Sequence, residues 1–397
     1  MAGADTHRLV NDPGSNHQAS SGALSRYAKF VVVMLFVLIM VGGHTTTAGA
    51  GMAFPDWPLS HGSLNPAGWW TISDQRLEHL HRYTAETVGL LIGVLCAWVW
   101  RSKCSVPIAL AVSAALASAA WFSGAEPSFV AHAGLWSSAL AFALLILWQA
   151  DRTDHARPPL VRWLAFAAFL GVLAQAIMGG LRVTIEAGGD PSTATTFRVL
   201  HGCFAHLELS LVVALAAMLS PVWPQIQASV STRGIPVLAW ITAGFIFLQL
   251  IVGAAMRHLG AGLAIPSWPQ ATADGGWMPR VHNIFVDLNF THTRAGAVFV
   301  TLLVVILALK TIGNSGSEVR LIRPAALLLG LVCAQFTIGL FVIWKMRPPL
   351  LTTLHVVNGA ALLATTVLLA VRAGRAHDCG NESKAAARER TVAEVTA

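Results

Sequence analysis

Gly49-Ala-Gly-Met-Ala-Phe-Pro-Asp-Trp-Pro58 returns 211 positions later as Gly260-Ala-Gly-Leu-Ala-Ile-Pro-Ser-Trp-Pro269. The same offset carries Gly42 onto Gly253 and His81 onto His292, so the likeness runs into the flanking apolar segments. A second pair of segments, Ala174-Gln175 through Gly179 and Ala334-Gln335 through Gly339, repeats at an offset of 160, and His201 and His355 occupy comparable positions downstream with different linker lengths. The chain therefore reads as a duplication. The shorter second offset calls for an insert of about fifty residues in the first half, and residues 103–150 hold two apolar segments that supply it. Two additional crossings preserve orientation. The halves then face the same way, as a parallel repeat about an axis along the membrane normal.

The composition places these repeats in lipid. Of 397 residues 55% are hydrophobic and 11% charged, with a mean hydropathy of +0.62, which excludes large soluble domains. Runs long enough to cross about 30 Å of hydrocarbon fall near 30–48, 83–100, 106–123, 128–149, 161–181, 199–220, 237–256, 294–311, 324–344 and 353–371. The expected fold is an all-α membrane protein of about ten transmembrane helices, built from two repeated four-helix bundles plus an inserted helix pair. Its parts would be a disordered tail at 1–28, an N-terminal bundle at 29–222 carrying the insert at 103–150, a C-terminal bundle at 236–372 and a tail at 373–397. The formal charge of +7 comes from Lys and Arg in alternate short loops and both termini. That distribution is the positive-inside pattern of a protein in the cell's inner (plasma) membrane with both termini cytoplasmic, not the footprint of a nucleic-acid binder. Lys345 and Arg347 are the exceptions, on the outer side. Cys96, Cys104, Cys203, Cys333 and Cys379 share no outer loop, which argues against a structural disulfide.

Four histidines lie at the outer ends of spans and form two repeat-related pairs, His81 with His201 and His292 with His355. Two imidazoles at one depth on different helices of a four-helix core can ligate both faces of a haem iron. Each half has the means to hold one haem. An isolated histidine at a helix end is as often an interfacial polar group, but four that follow the repeat argue against coincidence. His206, five residues after His201, is an alternative ligand. His44, His61, His79, His132, His258 and His282 lack repeat partners and read as local or interfacial hydrogen-bonding groups.

Glu78 stands three residues before His81, on the same helical face if the helix runs out through EHLHR at 78–82. The second half has Asn289 there, so the acid marks the first site as catalytic and the other as an electron relay; the bland alternative is a solvated loop carboxylate. Arg82, Arg182, Arg257 and Arg294 are candidates for haem propionate contacts, or for simple snorkelling at the interface. The Gln-x-x-x-Gly pattern at Gln175, Gln249 and Gln335 reads as close helix packing. The two Trp-Pro loops read as lids over the outer pockets or as aromatic belt anchors.

Together EHLHR (78–82), GAGMAFPDWP (49–58), GGLRV (179–183), LHGCFAHLELSLVVAL (200–215), GAAMRHLGAGLAIPSWP (253–269) and PPLLTTLHVVNGAALLAT (348–365) make the chain resemble the haem A synthase family over most of residues 30–372. The resemblance implies an enzyme that oxidises a methyl group of haem O to the formyl group of haem A by successive hydroxylation. It implies that His81 and His201 bracket the substrate haem with Glu78 beside it, and that His292 and His355 ligate a haem b cofactor. It implies haem O synthase as a partner, an electron donor of unspecified kind, and a lipid environment. The chain departs from the family pattern in reading His292-Thr293-Arg294 where arginine usually follows histidine directly. It has Phe54 and Ser60 near the place of a cysteine pair that some members carry, and it adds the two helices of 103–150. Two other readings use the same residues: a dihaem membrane cytochrome that only passes electrons, and a repeat-built transporter whose histidines line a pathway.

Overall fold

The computed structural model describes residues 13–101, 105–124, 126–149, 158–226 and 234–396. Their regular structure is helical: α1 (Pro13–Thr47), α2 (Ser73–Val99), α3 (Ser105–Phe122), α4 (Pro127–Gln149), α5 (Pro159–Ala187), α6 (Pro191–Met218), α7 (Ile235–His258), α8 (Ile284–Phe290), α9 (Ala297–Asn314), α10 (Val319–Trp344) and α11 (Pro349–Thr396). A π-helical turn, Thr291–Gly296, joins α8 to α9 as one continuous rod. Among the described residues nine helices are long and apolar enough to cross a membrane, and α3 contributes a shorter apolar stretch, Ile108–Ala119. There is no sheet among them, only an isolated bridge between Ser60 and Ser63. Cys96, Cys203 and Cys333 take part in no disulfide among the described residues, and Cys104 lies outside them.

Helix contacts in each half run around a closed circuit. In the first, α1 packs on α2, α2 on α5, α5 on α6 and α6 on α1; in the second, α7 packs on α9, α9 on α10, α10 on α11 and α11 on α7. One apolar core joins α1, α2, α5 and α6 through Leu24, Val31, Ile92, Leu95, Phe169, Leu209 and Leu215. A second joins α7, α9, α10 and α11 through Ile246, Leu307, Leu321, Leu328 and Leu369. The seam between them is closed by α11 and α6, with Ala360 and Ala364 entering the first core and Ala214 the second. Small side chains suit this seam, because association in lipid depends on close backbone approach. Helices α3 and α4 pack mainly on each other.

Several boundaries differ from the sequence reading for one physical reason. Hydropathy detects the apolar stretch, whereas a helix continues wherever polar residues find partners. Residues 13–28, expected to be disordered, begin α1 and bury Leu24 and Ala28; residues 1–12 lie outside the described region. At the other end α11 continues through the expected tail from 373 onward, with Ala373 and Ala376 fully buried. Helix α2 begins at Ser73 and the eighth span at Ile284, ten residues before each expected start, so His81 and His292 lie within helical structure. Helix α6 starts after Asp190, whose carboxylate accepts the backbone N–H of Thr193 at 3.0 Å and caps the helix. That hydrogen bonding holds the carboxyl of Asp190 below the ordinary aspartate range.

Candidate functional site

The structure brings the four histidines together as two pairs. His81 of α2 faces His201 of α6 with ring centroids 6.4 Å apart and planes at 85°. His292, in the π turn, faces His355 of α11 at 6.3 Å and 76°. Metal–imidazole bonds of about 2 Å on opposite sides of one ion separate the ring centres by about 6 Å. Each pair thus has the spacing of a bis-imidazole site, and no group of three or more metal-ligating side chains converges among the described residues. His206 is not part of a pair: it is buried and its Nδ1 lies 2.7 Å from the Gly202 carbonyl of its own helix.

Every one of the four rings is seated on a glycine of a neighbouring helix. A Cβ added to Gly42 would stand 2.6 Å from Cε1 of His81, and one on Gly253 2.4 Å from Cε1 of His292. The same addition at Gly179 and Gly339 would come within 3.2 Å and 3.1 Å of His201 and His355. The glycine of Gln-x-x-x-Gly is therefore a seat for an imidazole, a more specific task than the helix packing expected from sequence. Its glutamine also serves the histidine. The Gln175 carbonyl lies 3.2 Å from Nδ1 of His201, the Gln335 amide 3.2 Å from Nε2 of His355, and the Gln249 amide donates to the His292 carbonyl at 2.7 Å. Nδ1 of His81, His292 and His355 is buried without a hydrogen-bond partner among the described residues. Two imidazoles at metal-bridging distance, in apolar surroundings with clearance built around each, fit a haem iron in both halves. Gly253→Ala is expected to push His292 aside and lower haem retention at the second pair by about tenfold, as overpacking does. Gly244→Ala on the same helix, with nothing within 4 Å of the new methyl, is the control. Equal haem content in the two purified variants would refute the seat.

The departure from the family pattern at Thr293 is absorbed by the π turn. Arg82 donates through one nitrogen to the Asp56 carbonyl at 2.8 Å and the Leu59 carbonyl at 2.7 Å. Arg294 donates through one nitrogen to the carbonyls of Ser267 at 2.6 Å and Gln270 at 2.8 Å, the repeat equivalents of Asp56 and Leu59. The wider turn swallows one residue, so arginine reaches the same two acceptors from a position one later in sequence. Such a turn leaves helical carbonyls without their usual donors, and Gln249 supplies one to His292. Both arginines, considered above for propionates, thus tie down the Trp-Pro loops, in which Trp57-Pro58 and Trp268-Pro269 are both cis. Their acceptors were invisible in sequence because loop folding alone brings those carbonyls to the helix.

Glu78 and Asn289 sit one turn outward of His81 and His292, both fully buried. The carboxylate of Glu78 accepts from the Phe54 backbone N–H at 3.1 Å and pairs with Arg82 at 2.6 Å; Asn289 donates to the Ala261 carbonyl at 2.9 Å. Each residue fastens its outer loop, and the charge is peculiar to the first half. Arg257 donates to the Gly43 carbonyl at 2.8 Å and to the Thr47 hydroxyl, which ties α7 to α1 across the halves. Arg182 lies against Gly51. Of the remaining histidines, His79 contacts Ser60, and His282 contacts Asp287, as local groups.

Three features escaped the sequence reading. The insert reaches the first site: Trp57 packs on Gly180 and meets the rings of His132 and Trp136 from α4 at 5.3 Å and 6.3 Å. Its copy Trp268 meets Phe336 of α10 instead. Glu208, seven residues after His201 and so on the same helix face, is buried against Gly171, and its Oε1 has no hydrogen-bond partner among the described residues. A single acid inside an apolar span was the signal for it. The third is the place of Arg347, noted in sequence only as an exception to the charge pattern: it lies against Gly262 of the second outer loop.

A family model described as Cytochrome oxidase assembly protein, COX15-CtaA, matches residues 131–367. The chain is similar to a protein named Heme A synthase from Exiguobacterium sibiricum, at 25% identity over 68% of this chain and 72% of that one. Heme A synthases of Bradyrhizobium sp. (strain BTAi1) and Beijerinckia indica align at 23% and 25% identity, over 88% and 94% of this chain and 91% and 100% of theirs.

Proposed function

Because the chain belongs to the COX15-CtaA family of cytochrome oxidase assembly proteins, we propose that it is a membrane haem A synthase that oxidises the methyl group of haem O to the formyl group of haem A. The observation that carries this reading is the pair of repeat-related imidazole couples, each at metal-bridging distance and each seated on glycine. The similarity to Heme A synthases along most of both chains supports it.

In this reading the two four-helix units do different work. His81 and His201 hold the substrate haem, and His292 and His355 hold a resident haem b. Bound haem would supply one-electron chemistry; two successive hydroxylations of the methyl carbon, each taking one oxygen atom from O2 while two electrons from the donor and two protons release the other as water, would give a gem-diol that loses water to the aldehyde. The protein's own contribution is positional. Glycine seats fix the imidazoles, and Arg82 and Glu78 hold the outer loop over the first site, where Glu78 is the only carboxylate of the two loop anchors. Trp57, wedged between α5 and α4, closes that site on the side of the insert. An electron-transfer partner and haem O synthase are the expected associates, in the inner membrane with both termini cytoplasmic.

The reading is tested by extracting and chromatographing haem from the purified protein expressed with a haem O source. Haem b together with hydroxylated haem or haem A is the expected result. Recovery of only unmodified haem would favour a dihaem electron-transfer cytochrome. One observation speaks for that alternative: both Glu78 oxygens are engaged by Phe54 and Arg82, which gives the acid a task without chemistry.

A further inference from the structure

Arg347 broke the charge pattern of the loops, and its placement gives a reason. It follows α10 in a tight turn in which Met346 and Arg347 have φ of 57° and 64°, a left-handed backbone that non-glycine residues rarely adopt. The turn is closed by the Arg347 N–H donating to the Val342 carbonyl at 2.7 Å. It lays the side chain along the second outer loop, so that a Cβ on Gly262 would stand 3.1 Å from Cδ and 3.3 Å from Nε of Arg347.

The first half contains the same arrangement by another route. Gly51 is the repeat equivalent of Gly262, and a Cβ there would stand 3.1 Å and 3.3 Å from the two terminal nitrogens of Arg182. Arg182 comes from within α5, three residues after the seat Gly179, and the corresponding residue of α10 is Val342. The second half has valine in place of the helix arginine and presents an arginine at the same loop glycine from the turn beyond. Neither guanidinium makes a hydrogen bond or ion pair with the described residues, unlike Arg82, Arg257 and Arg294. Arg257 lies close enough for its charge to be felt with that of Arg347, so two like charges share the outer rim of the second site. Arg182 has the charges of Glu78 and Glu186 near it, whereas no carboxylate offsets the charge of Arg347 at Arg257, and half-buried cations so placed call for an anion between them.

The rim belongs to the second histidine pair. Ala261, next to Gly262, accepts from Asn289, which is one turn outward of His292. Two residues after Arg347, α11 begins at Pro349 and reaches His355 about 9 Å further along its axis.

We propose that Arg347 anchors the anionic edge of the ligand held between His292 and His355, taking a propionate carboxylate of haem b as Arg182 takes one at the first pair. This rests on the haem reading of the second site. The test is the rate at which the holoprotein and its Arg347→Gln variant give up haem b to excess apomyoglobin, measured beside loading with haem b and with haem b dimethyl ester, whose propionates are uncharged. Loss from Arg347→Gln is expected to be about ten- to a hundredfold faster, as for a severed charge-assisted bond. Arg347→Lys should restore part of the retention, and the ester should bind the wild type and the variant alike. Equal loss rates would overturn the proposal, and so would a variant that weakens the ester as much as haem b, since the arginine would then only support the fold. If the wild-type protein holds no haem that depends on His292 and His355, the reading of the site itself has failed, a result separable from a failure of Arg347 alone.

Discussion

Purified His355→Ala protein is expected to lose the haem b of the second site while the first histidine pair keeps its capacity to bind. The imidazole leaves from a ring pair set at 6.3 Å, and its removal strands His292 as a lone ligand in an apolar pocket. The N-terminal core should survive, because α11 contributes Ala360 and Ala364 to it, not His355. The measurement is haem stoichiometry together with the absorption signature of two axial imidazoles. Removing a group that merely orients a metal ligand commonly costs about ten- to a hundredfold in affinity, and loss of the ligand itself is expected to cost at least as much. An unchanged stoichiometry and signature would sink the assignment of this pair.

Glu78→Gln is expected to keep haem and lose turnover, by about a hundredfold or more if the carboxylate takes part in proton transfer. Glutamine can still accept from the Phe54 backbone N–H, so the loop retains one of its two ties, while the ion pair with Arg82 is gone. Comparing product formation with haem content separates the two roles. A fully active variant would leave Glu78 as a loop anchor like Asn289 and would strengthen the cytochrome reading.

Much of the fold was legible because the chain says it twice. His81 and His292 share one offset, His201 and His355 lie downstream of the second repeated segment, and the two pairs are the ones the structure brings face to face. What stayed hidden depends on loops and on backbone geometry. The glycines at 42, 179, 253 and 339 were visible, but their purpose was not, since a ring seated on a glycine looks in sequence like ordinary close helix packing. Arg82 and Arg294 could be placed at helix ends, yet their acceptors are main-chain carbonyls that carry no residue signature. Arg182 and Arg347 reach equivalent glycines from positions that no single offset relates. The insert could be counted but not assigned, because the contact of His132 and Trp136 with Trp57 joins residues more than seventy positions apart.

The π turn at Thr291–Gly296 also bears on how the two halves can be exchanged by engineering. A transplant that swaps 78–82 for 289–293 by counting residues would carry the histidine across and leave the arginine behind. The replaceable cassette in the second half is one residue longer, 289–294, and it needs Gln249 opposite it to cap the widened coil. Cut at those joints, the halves are modules whose parts correspond in space though not in number.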